Sequence, residues 1–169
     1  MKIQFSPNDF NESIALEELT KKIDLIGAEY VNTVTDEIFK QQPFFLTVLL
    51  GYRLDVSSEE LEEIMKIYFL IWEYFRNNQN IKTRKVTKAS FEKIQKRNIQ
   101  MLNYSAGEAS RKDKMEIYAQ DLQNLKSKSL LSAILLRFNH RPILVAMNNE
   151  KKGQIMIGIK SFMECFETI

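Results

Sequence analysis

The chain predicts an all-α fold, a single-domain helical bundle of about six to eight helices around a buried central helix at residues 58–76. Three observations carry that reading. The 169 residues include only 5 Gly and 3 Pro, with 27% charged side chains, which suits long helices better than a turn-rich β fold. Apolar residues recur at three- and four-residue steps along most of the chain. One segment, SSEELEEIMKIYFLIWEYF from Ser57 to Phe75, begins amphipathic and becomes apolar all round, as a helix enclosed by neighbours does.

The first expected element is a long amphipathic helix from Ser6 to about Lys40, bent near Gly27. Ser6 caps it, Pro7 takes the first helical position and Asp9 enters the first turn. Its inward stripe reads Phe10, Leu16, Leu19, Ile23, Ile26, Tyr30, Val34 and Ile38. Gln41-Gln42-Pro43 ends it, because the residue before proline is pushed out of helical geometry. Pro43 then opens a short apolar helix, Phe44 to Leu54.

The central helix follows. Ser57 and Glu60 form a capping box, and Glu59, Glu60, Glu62 and Glu63 lie near the positive end of the helix dipole. Leu61, Ile64, Met65, Tyr68, Ile71, Trp72 and Phe75 mark one face, and Phe69, Leu70 and Tyr74 extend apolarity to the others. Glu73 is the lone charge between Ile67 and Phe75. It reads either as a carboxylate that points out through a gap or pairs with a Lys or Arg of another helix, or as a buried polar site with a raised pKa.

Asn77 to Lys85 reads as the clearest loop, and 77–86 as the one candidate internal boundary. Thr87 caps a fourth helix with Phe91, Ile94, Asn98, Met101 and Leu102 inward. Ser110 to Asp113 cap a fifth with Met115, Tyr118, Leu122 and Leu125 on one face, and Leu130 to Phe138 define a sixth. Over 143–159 a hairpin competes with a helix. The helix is preferred because Ile155, Ile159, Phe162, Met163 and Phe166 share one face and Lys160 and Glu164 pair at four residues' spacing.

The totals bound the setting. A single Cys165 forms no internal disulfide, and the start MKIQFSPNDF has no apolar run of the signal-peptide kind. No stretch approaches the roughly 20 apolar residues of a membrane helix. A cytoplasmic location and no membrane partner are expected, and heavy Lys, Ile and Asn usage suggests an AT-rich microbial genome. The net charge of +2 hides a split: residues 1–80 hold 14 acidic and 7 basic side chains, residues 81–169 hold 8 acidic and 17 basic. The two halves attract within one fold, or one face meets a polyanion.

The residues offer little chemistry. The chain has one histidine and one cysteine, His140 and Cys165, too few for the usual zinc sets, and no spacing joins them as nucleophile and base. A di-iron bundle needs Glu-x-x-His pairs, and Arg137 stands three residues before His140. No glycine-rich phosphate loop occurs. Catalytic residues, cofactor and metal are therefore expected to be none.

Three functional readings follow. The first is a non-enzymatic helical protein acting through a protein partner or self-association as a homodimer, carried by a surplus of large apolar residues such as Phe44, Phe45, Trp72, Tyr74 and Phe138. The second is a nucleic-acid-associated regulator using Lys82, Arg84, Lys85, Lys88, Lys93, Lys96 and Arg97, against which only Glu92 stands locally. The pI of 8.5 falls below the usual basic footprint of such proteins. The third is a small-molecule binder with an apolar pocket near Glu73.

Overall fold

The computed structural model describes residues 6–107 and 111–169, with the side chains of residues 105, 111, 112, 114, 115, 117 and 118 outside that description. The cap expected at Ser110 and the inward placement of Met115 and Tyr118 therefore fall outside the described residues. Ten α-helices and no strands occur among the described residues: α1 Pro7–Asp24, α2 Ala28–Gln41, α3 Pro43–Gly51, α4 Ser58–Phe75, α5 Gln79–Thr83, α6 Lys88–Gly107, α7 Arg111–Asn124, α8 Lys128–His140, α9 Pro142–Val145 and α10 Asn149–Thr168. The fold is all-α, as the composition predicts. The number exceeds the expected six to eight because α5 and α9 are short and the first long helix divides in two.

That division falls at Gly27. Leu25 and Ile26 close tight turns onto Lys22 and Ile23, and Gly27 is extended before α2 restarts. Glycine inside a helix costs about 1 kcal/mol relative to alanine, so a break there is cheap. The capping box predicted at Ser57 forms, and the Ser6 cap proves to be one too: the backbone N–H groups of Asp9 and Glu60 donate to Ser6 and Ser57, whose own N–H groups donate back to the two carboxylates. Thr87 caps α6 by accepting from Ser90 N–H at 3.1 Å. Residues 142–168 are helical, with a break at Ala146 to Asn148, so the hairpin alternative is set aside. Asn148 caps α10 through its side-chain oxygen.

Helix α4 is the hub. It touches α1, α3, α8, α9 and α10, and every residue from Ile67 to Trp72 is buried. Trp72 is 0% exposed, and its indole N–H has no acceptor among the described residues. In the same core the rings interlock: Phe45 stacks on Tyr68 at 4.6 Å, Phe162 lies edge-on to Phe45 at 4.9 Å, and Phe91 meets Phe162 at 4.3 Å. Such ring pairs contribute about 0.5–1.5 kcal/mol each beyond the area they bury. The Tyr52 hydroxyl, 3.2 Å from that of Tyr68, reaches α10 at Gly158, where a Cβ would lie 2.6 Å from it.

Two expected inward positions lie outside. Phe10 is 69% exposed. Six residues separate it from Leu16, which at about 100° per residue turns it about 120° away from the buried stripe. Leu102 is 40% exposed, on the wall of an open groove that Asn98 and Met101 also line. The segment read as a loop contains α5, whose start is capped by Asn78. Buried Gln42 ties the end of that segment down: its amide donates to the carbonyls of Ile81 and Arg84, and its oxygen accepts from Val86 N–H.

Candidate functional site: the α1–α8 groove and the charged clusters

Helices α1 and α8 run side by side and parallel: Ser129 meets the Asp9 carbonyl at one end, and Arg137 meets Asp24 at the other. Small residues explain why they leave a groove. Ser129, Ser132 and Ala133 on α8 face Ser13 and Thr20 on α1, over a floor that includes Leu16. The cavity measures about 770 Å³, within the usual range for ligand sites. Glu17 and Lys21, paired at 2.7 Å, and Leu136 and His140 line its walls. Exposed apolar side chains continue it: Phe10 and Ile14 lie on the α1 stripe that carries Glu17 and Lys21, with Ile14 61% and Leu136 60% exposed.

The lower end of the groove is fixed by ion pairs. Arg137 is buried, and its Nε and Nη2 reach Glu63 on α4 at 3.0 and 2.7 Å while Nη2 also reaches Asp24 at 2.7 Å. Arg141 adds a second guanidinium to Asp24. Arg137 is the lone charge in LLSAILLRF, the same signal that singled out Glu73, and sequence reasoning passed it over. His140 is exposed in the last turn of α8, its Nδ1 2.8 Å from the Leu136 carbonyl, as a helix-end interaction requires.

Glu73 sits elsewhere, in a network between α2 and α4. Its Oε1 accepts from the Tyr30 hydroxyl at 2.6 Å and from Arg76 at 2.7 Å, and Arg76 also reaches Glu37 at 2.6 Å. The guanidinium comes from the residue that caps its own helix, whereas α2 supplies Tyr30 and Glu37. Burial, reinforced by the neighbouring Glu73 carboxylate, pushes the Tyr30 hydroxyl well above its ordinary range. Glu73 lines neither the α1–α8 groove, nor a polar depression of about 490 Å³ beside Ser6 and Lys128, nor an apolar groove of about 310 Å³ bounded by Met101, Leu131, Leu135 and Met156.

The basic residues Lys82, Arg84, Lys85, Lys88, Lys93, Lys96 and Arg97 are all exposed on α5, α6 and the link between them. Lys88 lies 3.7 Å from Glu92 and Arg97 2.9 Å from Glu164. The other five form no ion pair among the described residues. The buried side of α6 is held by a separate polar network. The Asn98 amide donates to Ser161 at 3.0 Å and Glu164 at 2.8 Å, while Lys160 reaches Asn98, Glu164 and Asp121 at 2.9, 2.8 and 3.1 Å. The Lys160–Glu164 pair expected from the sequence is part of it.

Cys165 is buried on α10, and burial pushes its thiol up to about 12, so it is neutral at pH 7 and a poor nucleophile. No cluster of His, Cys, Asp and Glu suited to a metal occurs among the described residues, and no described helix is long and apolar enough to cross a membrane. Compared with protein-family models, curated proteins and solved structures, the chain matches none.

Proposed function

We propose that the protein is a non-enzymatic helical interaction protein, and that the α1–α8 face docks a second copy of the chain. One observation carries this reading: the face bears both a groove and an exposed apolar ridge, Phe10 and Ile14, beside it. A two-fold interface uses the same patch on both subunits, so the patch must complement itself. A ridge next to a groove does so, since the ridge of each copy fills the groove of the other. The rim supports the same reading, because it carries both charges. Glu17 and Lys21 pair within the chain and can exchange partners across the axis. The aromatic residues first expected to form the contact, Phe45, Trp72 and Phe138 among them, are instead core.

Sedimentation equilibrium tests this directly. Twice the 19.9 kDa chain mass is expected, with Phe10→Ser/Ile14→Ser returning the mass to that of one chain at an unchanged helical circular dichroism spectrum. A wild-type chain that stays single at about 100 µM, where even weak specific dimers populate, refutes the reading. So does a double variant that still dimerises.

A further inference from the structure

No residue of α6 lines the α1–α8 groove, so its exposed side has no role in the proposed dimer. We infer that this half, with the end of α5, binds single-stranded nucleic acid. Lys82, Arg84, Lys85, Lys93 and Lys96 are exposed cations without an acidic partner among the described residues. Arg76, Arg137 and Lys160, by contrast, are paired at 2.6, 2.7 and 2.8 Å. The one acid among residues 82–97, Glu92, is exposed and lies 3.7 Å from Lys88, too loose a pair to neutralise the face.

The second observation is an aromatic on the same side. Tyr104 is 66% exposed on α6. On a helix of 3.6 residues per turn, Lys93, Lys96, Arg97, Gln100 and Tyr104 fall within an arc of about 100°. Single strands are bound in this way, by cations tracking the phosphates and an aromatic ring on which a base stacks. A duplex, with its bases already stacked, makes no use of Tyr104. The arc holds only one base platform and no fixed recognition set, so the preference is for strandedness and not for sequence.

Fluorescence anisotropy of the full chain with labelled single strands of about 12 nucleotides, oligo(U) and oligo(dT), tests the inference. Binding is expected at low salt, with log K falling linearly against log salt at about −0.7 per phosphate contacted. Lys93→Glu/Lys96→Glu lowers affinity at least tenfold and flattens that slope. Tyr104→Ala lowers affinity about tenfold and leaves the slope unchanged. No binding at low salt overturns the inference. So does a charge reversal without effect. Equal binding of heparin or duplex together with an indifferent Tyr104→Ala also overturns it, because the face then attracts any polyanion.

Discussion

The hub around α4 and the seam between α1 and α8 are held by different forces. In the hub, Tyr68, Phe45, Phe162 and Phe166 pack ring against ring, and they and Trp72 are almost wholly shielded from solvent. In the seam, small residues leave a groove, and Arg137 joins α8 to α1 and α4 through Asp24 and Glu63. Hydrophobic burial and dispersion are large in sum but have little direction. Guanidinium–carboxylate pairs have strict geometry but contribute little net stability once desolvation is counted. The hub therefore supplies most of the cohesion, and the seam sets how α1 lies against α8. A surface left open between two rods needs that register to be fixed.

Breaking the hub has the largest expected effect. Trp72→Ala costs about 3–5 kcal/mol, the range for deleting a large aromatic from a core. Urea denaturation monitored by circular dichroism measures it; a loss below about 1 kcal/mol would mean the cavity closes and that α4 is not the centre of cohesion.

Breaking the seam is the next largest. Arg137→Ala strands Glu63 and costs about 3 kcal/mol, moderated because Lys66 and Arg141 remain near that carboxylate. The contrast with the hub sharpens in the double variant Arg137→Met/Glu63→Leu, which recovers most of that loss, since an apolar replacement of a buried pair is often neutral. If denaturation midpoints show no recovery, the ion pair contributes cohesion in its own right and the division of labour drawn here fails.

The smallest effect appears at alkaline pH, and its first part belongs to the hub. The Cys165 thiol titrates near 9 when unfolded and near 12 when folded. Above pH 9 the unfolded chain binds fewer protons than the folded one, so stability falls as pH rises through that interval. Half-buried Tyr52 and buried Tyr68, whose hydroxyls are also raised by desolvation, add to the decline above pH 10. Cys165→Ala removes the first part of the decline: between pH 9 and 10 its melting temperature should stay flatter than that of the wild type. Identical slopes for the two proteins would place the thiol in water.

Local signals in the sequence account for much of this. Ser6, Ser57 and Thr87 cap helices because a hydroxyl satisfies a first-turn N–H whatever surrounds it. Pro43 ends one helix and starts the next by its ring geometry alone. The all-round apolarity of Ile67 to Trp72 required enclosure on every side, and that identified the hub. The lone charges were less legible. Glu73 was visible as an exception, but its partner Tyr30 stands 43 positions earlier in the chain, and Glu37, which shares Arg76 with it, stands 36 positions earlier. Arg137 carried the same signal, yet nothing in its neighbourhood names Glu63 or Asp24.

The amino-acid order thus determined the all-α class, most helix limits and the identity of the core, because propensity, capping and periodicity act within a few residues. Tertiary structure alone decided which helices lie together, that Phe10 turns outward, and that small residues on α1 and α8 meet to open a groove. Those outcomes depend on contacts between segments up to 120 positions apart, where burial and ion pairing, rather than local geometry, select the partner.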